Sequence, residues 1–130
     1  MKSLIVEDDF ISRRLLQKIL EDFGSCDIAV NGEEAIEAFI LANNEKAPYD
    51  LICIDIMLPG MNGQEILKKI REIEEKEEIM GLDGVKILMV TALSDKDNII
   101  NAFKSGCEAY IVKPIEKSKI VEEIKKLELI

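Results

Sequence analysis

Four stretches of this chain are apolar almost without interruption, and each stops at a polar residue. Leu4-Ile5-Val6 runs into Glu7, Leu51-Ile52-Cys53-Ile54 into Asp55, Ile87-Leu88-Met89-Val90 into Thr91, and Tyr110-Ile111-Val112 into Lys113. A short run without polar alternation is a strand covered on both faces, as in a parallel sheet with helices on either side. The segments between supply the helices. Residues 10–23 carry Ile11, Leu15, Ile19 and Phe23 at helical spacing and close on Gly24, a residue suited to a C-cap. Strand then helix repeats at 26–30 and 33–42, 51–55 and 64–79, 86–91 and 96–104, and 109–113 and 117–127. Five such units in series, the first strand at 2–7, predict an α/β fold with a parallel sheet.

The second strand differs from the others. Ser25-Cys26-Asp27-Ile28-Ala29-Val30 alternates in polarity, which suits a margin of the sheet, and a strand order of 2-1-3-4-5 accommodates it there. That order reverses direction between strands 1 and 3, and open α/β sheets bind ligands outside the carboxyl ends of their strands at such a point. Glu7, Asp8, Asp9, Asp55, Thr91 and Lys113 are thereby expected along one edge.

Composition narrows the chemistry. At 130 residues the chain has the size of one domain, read here as 1–130 with no output domain. A net charge of −9 opposes binding to nucleic acid or to anionic membranes. Cys26, Cys53 and Cys107 are odd in number and widely spaced, which fits free thiols in a reducing, cytoplasmic setting. No apolar stretch approaches the roughly 20 residues that span a bilayer. With no histidine, the chain cannot use Ser-His or Cys-His catalysis, bind zinc through histidine, or act as a phosphohistidine donor.

Each polar residue has a plain explanation by itself. Acids before a helix cap it, an Asp before Pro59-Gly60 and Asn62-Gly63 shapes a turn, Thr suits a strand, and a Lys ahead of Pro114 can be a solvated strand end. Together they are harder to dismiss, because two carboxylates about 5 Å apart repel by roughly 3 kcal/mol at an effective dielectric near 20. A hard divalent cation reverses that term, and an all-oxygen set with few carboxylates suits Mg2+. Lys113 and Thr91 could then hold a phosphoryl group, and a carboxylate is a competent nucleophile toward phosphorus. Asp55, on the central strand, is the natural candidate.

The motifs LIVEDD, LICIDIMLPGMNG, ILMVTA and AYIVKP occur in this order, with Asp55, Pro59 and Gly63 spaced as D-x(3)-P-x(3)-G. In this the chain resembles, over essentially its whole length, the receiver domains of bacterial two-component response regulators, especially the stand-alone CheY-like kind. The resemblance implies a flavodoxin-like (βα)5 doubly wound sheet and a phosphoacceptor switch. Asp55 would accept the phosphoryl group from a histidine kinase or phosphotransfer protein. Asp8 would bind Mg2+ directly and Glu7 through water, with the backbone carbonyl of Met57 a further ligand and Asp9 peripheral. Thr91 and Tyr110 would form a switch pair acting with Lys113, and the output would be an altered surface of the fourth helix, fifth strand and fifth helix for a downstream partner. Such a protein is not an enzyme on an external substrate, since it catalyses only its own phosphotransfer and dephosphorylation. Met57 and Leu93 would flank the path of hydrolytic water, and as apolar residues they predict a long-lived phosphorylated state.

Two other functions compete with this one. A Mg2+-dependent aspartyl-phosphate hydrolase of the haloacid-dehalogenase kind needs a second acid two residues after the nucleophile, where this chain has Met57. A receiver-like interaction module without phosphorylation leaves the full polar set unexplained. The stretch 72–84, EIEEKEEIMGLDG, reads as a solvated helix end, with a partner-docking loop as the alternative.

Overall fold

The computed structural model describes residues 1–78 and 84–130. The elements follow in the order β1 (Ser3–Val6), α1 (Phe10–Leu20), a 3-10 turn (Glu21–Phe23), β2 (Cys26–Ala29), α2 (Gly32–Asn44), β3 (Leu51–Ile54), α3 (Gly63–Lys76), β4 (Lys86–Thr91), α4 (Lys96–Ser105), β5 (Ala109–Val112) and α5 (Lys117–Lys126). All strand pairs are parallel, and the sheet order is β2-β1-β3-β4-β5.

Side chains alternate across the sheet and build two apolar layers. Leu4, Val6, Ile52, Ile54, Ile87 and Met89 pack with Phe39 of α2, Ile66, Leu67 and Ile70 of α3, and Ala102 of α4. Ile5, Leu51, Cys53, Leu88, Val90 and Ile111 face the other way, onto Leu16, Ile19 and Leu20 of α1 and Ile120 and Ile124 of α5. Each large aliphatic side chain so buried contributes about 1.5–3 kcal/mol. This is why the runs are apolar throughout. β2, at the margin, is the exception, with Ile28 left partly exposed, as is Val30 just past its end.

The helix starts are set by short polar residues whose side chains accept otherwise orphaned amides. Asp9, Asn31, Asn62 and Asp95 each bond the amide three residues on, and Asn62 with Glu65 forms a reciprocal capping box. α4 closes on Gly106 at φ 105°, a left-handed conformation glycine adopts without steric cost.

Two expectations are corrected. Of the stripe Ile11, Leu15, Ile19 and Phe23, only Ile19 is fully buried; Ile11 is 75% exposed and Leu15 40%. The core face of α1 is instead Leu16, Ile19 and Leu20, a second set at helical spacing one register round the helix. α3 ends at Lys76, followed by Glu78 at φ 60°, where a helix was expected to reach 79. Residues 79–83, the greater part of the apolar turn in the 72–84 stretch, lie outside the described residues.

Candidate phosphoacceptor site

Register fixes the site. Val6 lies beside Ile54, and Ile54 beside Met89, so the first residues past β1 and β3, Glu7 and Asp55, fall at adjacent strand ends. The ladder carries on one residue further, with Asp55 N–H donating to Val6 O at 3.1 Å and Lys113 N–H to Thr91 O at 2.8 Å. These bonds hold the backbones of Asp55 and Lys113 at the carboxyl edge of the sheet.

Glu7, Asp8 and Asp55 each place a carboxylate oxygen within 4.8 Å of the others. Glu7 and Asp55 are buried and Asp8 is exposed. Lys113 reaches between the two buried acids, its Nζ donating to Glu7 Oε1 at 2.5 Å and to Asp55 Oδ2 at 3.0 Å. The other Asp55 oxygen, Oδ1, accepts the Met57 amide at 3.0 Å. Burial pushes the Glu7 carboxyl up to about 7, and the charge of Asp55 adds to that, while the hydrogen bond from Lys113 opposes it. Burial works against the Lys113 ammonium, yet its hydrogen bonds to Glu7 and Asp55 hold its pKa above the usual lysine value. One ammonium thus faces three acids. That deficit of positive charge, in an all-oxygen donor set, fits a hard divalent cation such as Mg2+.

The remaining residues are placed as follows. Thr91 is fully buried, and its Oγ1 accepts the Leu93 amide in a long bond of 3.4 Å. Tyr110 is half-buried against the α2–α3–α4 side of the core, and its hydroxyl donates to Leu93 O at 2.6 Å. Leu93 packs against that same layer, whereas Met57 is 57% exposed. Asp9 points away as the cap of α1, and the Ser12 amide holds its carboxyl below the usual range. The Lys113-Pro114 peptide is cis.

Two participants were not read from the sequence. Arg13, one turn into α1, donates through Nη1 to the backbone carbonyls of Glu7 and Asp8, each at 3.3 Å, and so braces the acidic loop. Its position four residues after the Asp9 cap was a usable signal. Gln64, in the first turn of α3, is buried and donates to Asn98 of α4. A Gln near a helix start carries no such signal.

Known proteins resemble this chain in sequence and in fold. The response regulator receiver domain profile matches residues 3–125. The transcriptional regulatory protein ResD of Bacillus subtilis is 37% identical over 97% of this chain, which spans 47% of ResD. The chain thus covers about half the length of that relative, and 54% of a probable transcriptional regulator, ycf29, of Porphyra purpurea. Chemotaxis protein CheY-3 of Vibrio cholerae is 34% identical, with 98% of this chain and 91% of that protein aligned. A two-component response regulator from Clostridium difficile superposes with a TM-score of 0.82 at 30% identity, over 98% of this chain and 95% of that one. The fold, the acids at the ends of β1 and β3 and a profile match of nearly full length all lead to one family, and the chain belongs to the response regulator receiver domains.

Proposed function

We propose that this chain is a phosphoacceptor signalling switch in which Asp55 receives a phosphoryl group from a histidine kinase or phosphotransfer protein. The observation that carries this reading is the Asp55 carboxylate itself: buried at the end of the central strand, oriented on one oxygen by the Met57 amide and on the other by Lys113. An Asp55 oxygen attacks phosphorus, the O–P bond forms, and the bond to the donor nitrogen breaks with its electron pair returning to the donor imidazole. Lys113, already hydrogen-bonded to Asp55, turns its ammonium to a phosphoryl oxygen. The Thr91 hydroxyl, whose oxygen accepts the Leu93 amide in a long bond, donates its proton to another phosphoryl oxygen.

Glu7, Asp8 and Asp55, with the Met57 carbonyl, are the residues that would hold Mg2+, which when bound spreads the charge of the transferring phosphoryl group. Movement of Thr91 draws on the β4–α4 loop, where Tyr110 already holds Leu93 O. The output is an altered α4–β5–α5 surface, on which Ile100 and Phe103 are exposed. A downstream protein binding that face completes the switch. The hydrolase alternative has a thioether at position 57 where its mechanism needs an acid.

The test is incubation with acetyl phosphate and Mg2+, read by intact mass. One acid-stable, base-labile phosphoryl adduct is expected, absent in Asp55→Asn. An Asp55→Asn protein that gains the same mass at the same rate overturns the assignment. Lifetime is a second reading of the same site: Met57 and Leu93 offer no polar group to orient attacking water. Slow autodephosphorylation is therefore expected, measured against a Met57→Asn, Leu93→Glu double mutant that decays faster. Equal decay rates remove these two residues from the account.

A further inference from the structure

α3 and α4 are joined through a partly buried polar contact next to the phosphoacceptor loop. Gly63 packs so closely on the Asp55 carbonyl and the Ile56 backbone that a Cβ there would collide with both. The next residue, Gln64, is 7% exposed, and its Nε2 donates to the backbone carbonyl of Asn98 at 2.9 Å. Asn98 is in turn bound to the α4 cap, its side-chain amide donating to Asp95 Oδ1 at 2.9 Å and its backbone amide to Oδ2 at 3.1 Å. An unbroken chain of contacts therefore runs from the Asp55 backbone to the first turn of α4. It does not pass through Thr91 or Tyr110.

Gln64 is a poor choice for stability alone. Its Oε1 is buried with no hydrogen-bond partner among the described residues. The net gain from one neutral hydrogen bond is no larger than the cost of stranding one buried oxygen, so a leucine or methionine of similar size would serve packing at least as well. What an apolar side chain lacks is a directional tie.

We propose that Gln64 is a positioning residue that couples the phosphoacceptor loop to the first turn of α4, so that a change at Asp55 reaches the α4 face by a route separate from Thr91 and Tyr110. The inference rests on the phosphoacceptor reading of Asp55. Any shift of the Asp55 loop carries Gly63 with it, and Gln64 passes that shift to Asn98. The donor, the Gln64 amide, is the part of the link a substitution can remove cleanly: its shorter bond goes to a backbone carbonyl that Asn98→Ala leaves in place, and only the longer one, to Asn98 Oδ1 at 3.4 Å, is lost in that variant.

The experiment is amide NMR of the full chain with Mg2+ and beryllofluoride, a tetrahedral phosphoryl mimic, on wild type, Gln64→Leu and Asn98→Ala. In Gln64→Leu the response of Ile99 and Ile100 should fall at least about twofold, while those of Thr91 and Lys113 stay at wild-type size. Asn98→Ala should keep most of the α4 response. A full α4 response in Gln64→Leu overturns the proposal, and so does a uniform decrease at all four residues, which is general loosening. Should Gln64→Leu not fold, Gln64→Met applies the same criteria. A wild type that shows no response at Thr91 or Lys113 refutes the phosphoacceptor reading itself, and the coupling role with it.

Discussion

The two ends of the sheet both bury charge, and they treat it in opposite ways. Where β4 and β5 begin, Arg71 of α3 donates to Glu74 at 2.6 Å, to Glu108 at 2.9 and 3.0 Å, and to the carbonyls of Val85 and Gly106 at 2.9 and 2.7 Å. Glu74 and Glu108 also accept the amides of Val85 and Ile87, at 2.7 and 2.6 Å. Every carboxylate oxygen there has a partner. Where the strands end, one Lys113 serves Glu7 and Asp55, and Asp8 has no ion-pair partner among the described residues. A closed network fixes the shape of one end, and an open one leaves the other able to gain a ligand.

The contrast is broken most severely at Arg71. Removing one member of a largely buried ion pair leaves the other charge stranded, so Arg71→Leu should cost about 3 kcal/mol in urea unfolding, with no recovery in excess Mg2+. A loss below about 1 kcal/mol, the range of a surface pair, would mean the network is not a brace.

At the open end the sign reverses, because adding a ligand should stabilise. Mg2+ at about ten times its dissociation constant should add about 1.4 kcal/mol to wild type. That gain should vanish in Asp8→Ala and survive in Asp9→Ala, which instead loses about 1 kcal/mol as a helix cap whether or not Mg2+ is present. Equal Mg2+ responses in the two variants would erase the distinction between ligand and cap.

The smallest effect sharpens the comparison by pH. Because the Glu7 carboxyl is raised from 4.5 to about 7 in the fold, the native state binds more protons than the unfolded chain across that window. Stability therefore falls as pH rises from 4.5 to 7 in the metal-free protein. Glu7→Gln should unfold like wild type near the bottom of the window and be the more stable of the two above it. Parallel stability curves for the two proteins across that range would show that Glu7 carries no such penalty.

How much could be read before the structure follows from how far each feature reaches along the chain. The five strands were legible because burial on both faces leaves apolar runs, and β2 was recognisable as an edge from its alternation. Glu7, Asp55 and Lys113 were legible because each directly follows such a run. α1 was misread at Ile11 and Leu15, since two overlapping apolar sets satisfy helical spacing and only packing chooses Leu16, Ile19 and Leu20. The end of α3 was misplaced because Glu77 and Glu78 carry no stop signal. Gln64, and Arg71 beyond its i,i+3 pair with Glu74, were invisible for a different reason: the partners Asn98 and Gly106 lie 34 and 35 positions away. No local pattern encodes such a reach.

The bond between Lys113 and Glu7 joins positions 106 apart, and that with Asp55 spans 58. During synthesis the acids of β1 and β3 leave the ribosome well before the lysine that neutralises them. Contacts across such separations form late, because the intervening chain must first be ordered. A nascent or truncated product ending before β5 therefore carries Glu7 and Asp55 without the ammonium that pairs with them in the finished fold.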